Sequence, residues 1–190
     1  LVGSEMCIRD RYKDEVKYWL TFNEINSLTL TLEFIPNCPK EMAAATYVKL
    51  HHQFVASAHT VRYAHSVSPD YKVGCMIAGS CYYPLTCDPA DMHKTQQKWQ
   101  EATYYCGDVM VRGAYPAFAK RIWAEYGVQL DITEQDKADL LAGKVDFYSF
   151  SYYSTSCVTT HKDVAKDGAG NLSLGAKNPY IKYSDWGWGM

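Results

Sequence analysis

Three apolar segments of the chain are predicted to form β-strands. Residues 16–22 are rich in β-branched and aromatic side chains and alternate loosely between apolar and polar positions. Residues 73–78 form a continuously apolar run between turn signals, which is typical of a parallel strand covered on both faces. Residues 145–153 are predicted to form the third strand. The first and third segments end in polar or hydroxyl-bearing side chains, so we expect the chemistry at the carboxyl ends of the strands.

Between these strands the apolar positions follow a helical period. Over residues 41–66, apolar side chains recur at helical spacing, and Pro69 and Asp70 mark the end. The segment 82–89 is predicted to be a loop because it contains two prolines. Shorter helices are predicted over residues 90–106, 116–126 and 133–142.

The ends of the last predicted helix separate it from the third strand. Thr133, with Asp136 three residues later, resembles a capping box, and Gly143 stands where a C-terminal cap glycine is expected. Strands and helices thus alternate in the order β, α, β, α, β. This order predicts an α/β fold with a mainly parallel sheet and right-handed crossovers.

The composition is that of an ordinary globular protein. The chain has 190 residues, of which 47% are hydrophobic and 21% charged, with a formal net charge of −2. Its Lys and Arg residues are scattered, so it lacks the basic patch that nucleic acid or an anionic membrane requires. No run approaches the roughly 20 apolar residues of a membrane span, and the N-terminus lacks the apolar core of a signal peptide. We therefore expect a cytoplasmic protein that binds neither nucleic acid nor membrane.

The cysteines and histidines do not predict a metal site. The seven cysteines include no C-x-x-C pair, and their odd number favours free, buried thiols over disulfides. His52 and His59 share a helix face, but a rise of about 1.5 Å per residue places them ~10 Å apart. That separation is too large for one ion.

Two segments stand apart from the α/β pattern. Residues 1–11 do not match the pattern of the rest of the chain and are predicted to be non-native. Residues 162–183 are rich in Gly, Asn and Lys, and Gly168 and Gly170 resemble part of a glycine loop. The third glycine of a dinucleotide fingerprint and the helix after it are missing, however. This segment is predicted to be a hairpin or an excursion over the site.

The most specific motif comes directly after the first predicted strand. Residues 21–26, with the sequence TFNEIN, resemble the T-F-N-E motif of family 1 glycoside hydrolases, and in this form the 6-phospho branch of that family. The resemblance implies a partial (β/α)8 TIM barrel, about strands 4 to 6 with their helices, and residues 12–190 as a partial catalytic domain. It also implies that Glu24 is the general acid/base and that Asn23 contacts the 2-hydroxyl of the sugar.

Glycosidic cleavage explains the need for a carboxylic acid here. A glycosidic oxygen leaves poorly until it is protonated, and an acid with a raised pKa can protonate it near neutral pH. In a retaining mechanism a second carboxylate, about 5–5.5 Å away, forms a covalent glycosyl intermediate. The resemblance places this nucleophile beyond Met190. Asn23 and Glu24 are both expected to face the same pocket, whereas neighbouring side chains of a regular strand point to opposite faces. The backbone is therefore expected to leave strand geometry at these two residues.

A second motif ends the third predicted strand. Ser151, Tyr152 and Tyr153 are similar to the N-Y-Y motif at the end of strand six in the family, where the second tyrosine hydrogen-bonds the nucleophile. The resemblance therefore implies a site role for Tyr153. Ser151 replaces the family's common asparagine, a departure also expected of the 6-phospho branch. Trp186 and Trp188 are candidates for stacking against sugar rings.

Together these motifs imply a retaining β-glycosidase that needs no cofactor and hydrolyses 6-phospho-β-D-glucosides. An unphosphorylated β-glucoside and a 6-phospho-β-galactoside are the alternative substrates. A non-catalytic carbohydrate-binding or structural module is the alternative of another class. Three of eight strands cannot close a barrel, so we expect these residues to be an inactive piece of a longer protein. For the full-length protein, both a monomer and a homo-oligomer are compatible with the sequence.

Overall fold

The computed structural model describes residues 11–168 and 175–189 of the chain. The strands are β1 (Tyr18–Leu20), β2 (Lys72–Pro84) and β3 (Phe147–Val158). β2 lies at the centre of a parallel sheet and pairs with both β1 and β3. The predicted α/β fold with a parallel sheet is therefore confirmed.

The helices keep the predicted order, with one addition and one extension. The prediction missed residues 27–34, which are too short to show a helical period. The helix that was predicted to end at residue 106 continues to Arg112, where Gly113 adopts a left-handed φ of 71°. The helical elements are α1 (Ser27–Leu30), a 3-10 helix (Thr31–Phe34), α2 (Lys40–Val67), α3 (Pro89–Trp99), a π-helical turn (Gln100–Tyr104), α4 (Tyr105–Arg112), α5 (Ala119–Tyr126) and α6 (Glu134–Ala142).

Strands β2 and β3 extend beyond their apolar runs because they pair with each other. The prediction of a loop from residue 82 is wrong for its first part, since residues 82–84 pair with residues 156–158 of β3. This pairing carries both strands past the end of β1. Next to the carboxyl end of β1, the sheet is therefore two-stranded and consists of β2 and β3 alone.

A β-bulge interrupts the pairing of β2 with β3. Gly79 pairs with Tyr152, whereas the next residue of β2, Ser80, pairs with Ser154. Tyr153 is therefore the extra residue on β3. Such bulges bend the strand and redirect side chains, and they are frequent next to active sites.

The core lies between one face of the sheet and the helices α2 and α4. Cys75 and Ile77 of β2 form one buried cluster with Leu50 and Phe54 of α2 and with Tyr105 of α4. Because side chains alternate along a strand, the other face of β2 points away from these helices. That second face is free to carry polar groups.

The predicted ends of the last helix are confirmed at α6. The Thr133 hydroxyl accepts a hydrogen bond from the N–H of Asp136 at 3.0 Å, and the Asp136 carboxylate accepts from the N–H of Thr133 at 2.8 Å. Gly143 donates its N–H to the carbonyl of Asp139 at 2.8 Å. A Cβ on Gly143 would lie 2.3 Å from the carbonyl oxygen of Ala58, so glycine lets α6 approach α2 closely.

The last described segment, 175–189, returns to β3. Ala176 forms an antiparallel bridge with Cys157. The N–H of Thr155 donates to the carbonyl of Gly189 at 2.8 Å. The segment therefore lies against the carboxyl-terminal half of β3, which agrees with the predicted excursion.

The six described cysteines are free thiols. Cys75, Cys106 and Cys157 are buried, whereas Cys87 is exposed. Burial raises the pKa of the Cys106 thiol and raises that of Cys75 to about 11. These two side chains therefore act as small apolar groups of the core.

Among the residues in 11–168 and 175–189, no helix is long and apolar enough to cross a membrane. The segment predicted to be non-native falls almost wholly on residues 1–10, which lie outside the described residues, as do residues 169–174 of the excursion.

Candidate active site

Glu24 lies in a turn directly after β1. The strand ends at Leu20, and Glu24 adopts a φ of 46°, a left-handed conformation that is uncommon for residues other than glycine. The turn stays attached to β2 because Ile25 donates its N–H to the carbonyl of Met76 at 3.3 Å. The backbone therefore leaves strand geometry at this point, as the sequence predicts.

Ser151 connects Glu24 to the third strand. Its hydroxyl donates a hydrogen bond to Oε1 of the Glu24 carboxylate. Ser151 pairs with Ala78 in the register of β3 on β2, so the bond crosses the central strand at that position. The two sequence motifs, which are far apart in the chain, thus meet at one end of the sheet.

A cavity of about 430 Å³ opens beside Glu24. Its walls come from the turn after β1, from α1 and the 3-10 helix, from β2 and the bulge of β3, and from the last described segment. Leu30 and Phe34 give it an apolar side, and Glu24 is the only acidic side chain among the described residues that line it. A single half-buried carboxylate therefore faces a space large enough for a sugar-sized ligand.

The bulge turns two consecutive residues of β3 toward this cavity, Tyr153 and Ser154. The ring of Tyr153 lies 6.2 Å from the ring of Trp188, with an angle of 49° between the planes. Aromatic faces of this kind offer apolar area together with a polar tip. The cavity thus has an aromatic corner next to its acidic side.

Of the residues predicted for the site, the structure brings Glu24 and Tyr153 to the same cavity. Asn23 precedes Glu24 with an exposed side chain and does not line the cavity. The two tryptophans differ: Trp188 lines the cavity, whereas Trp186 is 79% exposed and lies outside it.

The sequence analysis missed two polar contacts of this site. One is the bond from Ser151 to Glu24, because the motif shows the replaced asparagine but not its partner. The other involves Asn26, which is fully buried and bonded to two other elements. The sequence around Asn26 is mixed, with Glu24 and Ser27 close by, and carries no signal that this asparagine is buried.

Two buried or part-buried histidine contacts of the described chain are structural. Nε2 of His59 lies 2.9 Å from the carboxylate of Asp139, and Nδ1 of His51 lies 2.8 Å from the hydroxyl of Tyr115. Burial lowers the pKa of His51. Within the described residues, no group of three His, Cys, Asp or Glu side chains is placed to hold a metal ion.

A second cavity, of about 470 Å³, lies on the helix-facing side of β3. Its lining includes Phe150 and Tyr152 and is mainly apolar. The charged residues in that lining, Asp108 and Arg112, form an ion pair with each other at 3.0 Å. Convergent polar groups are characteristic of a ligand site, so the cavity beside Glu24 is the candidate active site.

Comparison with known sequences gives a consistent result. The family model "Glycosyl hydrolase family 1" matches residues 4–190. The chain is 46% identical over 179 residues to a 6-phospho-beta-glucosidase of Dickeya chrysanthemi and 43% identical over 182 residues to one of Clostridium longisporum. It is 42% identical over 183 residues to a phospho-cellobiase of Klebsiella oxytoca. Each match covers 94% of this chain and 38% of the relative, so the chain spans about two-fifths of the length of these relatives.

Solved structures share the fold. A β-glucosidase from Exiguobacterium antarcticum superposes with a TM-score of 0.74 over 98% of this chain and 41% of that protein, at 17% identity. A family 1 β-glucosidase from Thermotoga maritima gives a TM-score of 0.71 over 96% of this chain and 39% of that protein, at 20% identity. At these identities the likeness concerns the fold.

Proposed function

Because the chain belongs to glycosyl hydrolase family 1, we propose that Glu24 is the general acid/base of a retaining β-glycosidase that hydrolyses 6-phospho-β-D-glucosides. The three strands with their helices are part of a (β/α)8 barrel. We assign them to about the fourth, fifth and sixth strands of that barrel. The observation that carries the proposal is the Glu24 carboxylate, which lines the cavity and accepts a hydrogen bond from Ser151.

In the first step, Glu24 gives its proton to the glycosidic oxygen while a second carboxylate attacks the anomeric carbon. The bond from that carbon to the leaving oxygen breaks, and a covalent glycosyl intermediate forms. In the second step, Glu24 takes a proton from water, and the water oxygen displaces the nucleophilic carboxylate. The enzyme returns to its starting protonation state.

The second carboxylate belongs, in this proposal, to a part of the full-length protein outside these residues. No other acidic side chain of the described chain lines the cavity, and the relatives are much longer than this chain. The place of Tyr153 in the same cavity supports its role in orienting that nucleophile through its hydroxyl. Asn23 does not line the cavity formed by these residues, so its proposed contact with the sugar 2-hydroxyl rests on its place next to Glu24 in the motif.

The phosphorylated substrate is proposed from the names of the relatives. The two 6-phospho-beta-glucosidases and the phospho-cellobiase share 42–46% identity with this chain, whereas a 6-phospho-beta-galactosidase of Clostridium acetobutylicum shares 24%. A gluco-configured, 6-phosphorylated sugar is therefore favoured over a galacto-configured one. Since phosphorylated sugars are charged, we also place the enzyme in the cytoplasm, where such sugars are retained.

The test is hydrolysis by the full-length protein of aryl β-D-glucosides with and without a 6-phosphate. We expect cleavage of the phosphorylated series. In Glu24→Gln, kcat/KM should fall by about 100-fold or more for poor leaving groups, which need protonation. It should change little for dinitrophenolate, which leaves without a proton. Glu33→Gln, on the 3-10 helix next to the site, is a matched control whose side chain pairs with Lys98.

The outcomes separate the alternatives. An equal loss for all leaving groups contradicts the acid role of Glu24. Preferred cleavage of the unphosphorylated series contradicts the phosphate specificity alone. If the wild-type protein cleaves neither series but binds the sugars, the non-catalytic module is the correct alternative.

A further inference from the structure

Asn26 lies two residues after Glu24 and is fully buried. Its amide nitrogen donates to the carbonyl of Ala78 at 3.0 Å and to the carbonyl of Ala102 at 2.7 Å. Its amide oxygen accepts from the N–H of Ala78 at 2.7 Å. Both N–H groups and the carbonyl of the side chain are therefore bonded, which fixes the orientation of the amide.

The backbone of Asn26 is fixed as well. Its carbonyl accepts from the N–H groups of Thr29 and Leu30, both at 3.1 Å, and from the hydroxyl of Thr29 at 3.0 Å. Asn26 thus begins α1 while its side chain holds β2. The turn that carries Glu24 is consequently tied down at its far end by backbone and side chain together.

These bonds close a ring around Glu24. Asn26 bonds Ala78 on β2, Ala78 pairs with Ser151 on β3, and Ser151 donates to the Glu24 carboxylate. The ring returns through two peptide units to Asn26. One end of the Glu24 residue, its backbone, is set by Asn26, and the other end, its carboxylate, is held by Ser151.

The partner Ala102 lies in the π-helical turn between α3 and α4. Such turns are rare within α-helices and are frequently found at functional sites. Here the turn presents a buried backbone carbonyl to the amide of Asn26 at 2.7 Å. The irregularity in the helix is therefore in direct contact with the residue that ties down the Glu24 turn.

We propose that Asn26 is a positioning residue that holds Glu24 in its left-handed conformation, with the carboxylate directed into the cavity. A left-handed backbone is unfavourable for glutamate and persists only where neighbouring contacts impose it. Asn26 supplies such a constraint two residues after Glu24, because its side chain anchors the backbone of the turn to β2 and to the π-helical turn. This inference rests on the proposed function of Glu24.

The test uses Asn26→Ala and Asn26→Asp in the full-length protein, with aryl glucoside 6-phosphates of graded leaving-group ability. A misplaced acid loses proton transfer, so kcat/KM of Asn26→Ala should fall by about 100-fold for poor leaving groups and much less for dinitrophenolate. Hydrogen exchange of the peptide that spans residues 22–30 should rise in the same variant.

The Asn26→Asp variant, which has nearly the same shape, adds a pH readout. Its carboxylate cannot donate to the carbonyls of Ala78 and Ala102, but its protonated form restores one of the two donors. The defect relative to wild type should therefore narrow as the pH falls. Asp139→Asn, which disturbs the contact between α6 and α2, is the control for a general loss of stability.

Three results would overturn the inference while leaving the proposed function intact. They are an Asn26 defect that is equal for all leaving groups, an Asn26→Asp defect that does not narrow at lower pH, and a leaving-group dependence in Asp139→Asn as large as that in Asn26→Ala. Failure of the proposed function looks different, because the wild type itself is then inactive. If Asn26→Ala does not fold, Asn26→Asp and its pH profile decide.

Discussion

The hydroxyl of Ser151 donates to the carboxylate of Glu24 across 127 positions of the chain. The contact joins the turn after β1 to the end of β3. The bond holds one oxygen of the Glu24 carboxyl group, which can accept a hydrogen bond in both its protonated and its ionised form. It therefore restricts the rotation of the Glu24 side chain above the cavity.

We expect Ser151→Ala to lower kcat/KM of the full-length enzyme by about tenfold, or ~1.4 kcal/mol, which is at the upper end of the usual contribution of one hydrogen bond, about 0.5–1.5 kcal/mol. Ser151→Thr keeps the hydroxyl and should retain most activity. Ser149→Ala is the matched control, because Ser149 lies two residues earlier on β3 and donates to the carbonyl of Cys75 instead. Equal losses in the two alanine variants would argue against a specific role of the Ser151 contact.

A second prediction concerns sugar binding at the aromatic corner. Trp188→Ala removes a ring that lines the cavity and packs 6.2 Å from the ring of Tyr153. KM should rise by about tenfold with a smaller change in kcat, which corresponds to roughly 1.4 kcal/mol. Steady-state kinetics of Trp186→Ala, at the exposed neighbouring tryptophan, provide the comparison. A KM change of the same size there would locate the effect outside the cavity.

A third prediction concerns acid stability and Asp91, which is fully buried at the start of α3. Burial alone raises the pKa of this carboxyl, but hydrogen bonds from the N–H and hydroxyl of Thr160 and from the hydroxyl of Thr86 lower it to about 2. A folded-state pKa below the unfolded value of about 3.9 stabilises the fold above pH 4. That stabilisation is lost as the pH falls toward 2.

Asp91→Asn should therefore be less stable than the wild type near neutral pH, and the difference should shrink between about pH 4 and pH 2. Urea unfolding of the full-length protein at several pH values measures this. Asp131→Asn, at an exposed aspartate, should show no such trend. A difference between Asp91→Asn and wild type that is independent of pH would refute the charge-based explanation.

A fourth prediction concerns the close approach of α6 to α2. The Cβ of Gly143→Ala would lie 2.3 Å from the carbonyl oxygen of Ala58 and 2.4 Å from its Cα, so the backbone must move. We expect a loss of about 1–3 kcal/mol in the free energy of unfolding, as in overpacked cores. Gly127→Ala separates steric from backbone effects, because Gly127 has a φ of 67° but no atom within 4 Å of the new Cβ. Urea midpoints of both variants provide the comparison.

Patterns local in sequence predicted most of the fold. Helical periodicity identified α2, and the capping residues Thr133 and Asp136 identified the start of α6. The length of β2 was not predictable, because residues 82–84 are strand only through their pairing with β3. That pairing depends on a segment more than 70 positions away, which no local pattern reports.

The candidate site shows the same division. The motif at residues 21–26 marked Glu24, and strand geometry alone required a break in the backbone near it. The partners of Asn26 were not predictable, since Ala78 and Ala102 bond it through backbone atoms, which carry no signature of residue type. The bulge in β3, which lets both Tyr153 and Ser154 line the cavity, was not predictable either, because it depends on the pairing with β2.

That bulge also governs how β3 can vary during evolution. Before it, Ser149 and Ser151 share one side of the strand; after it, the alternation changes phase, and Ser154, which lines the cavity, pairs with Ser80. Deletion of a single residue here differs from a substitution, because removing Tyr153 would restore a regular ladder and remove a lining residue in one event. Length in this segment should therefore be conserved more strictly than residue identity.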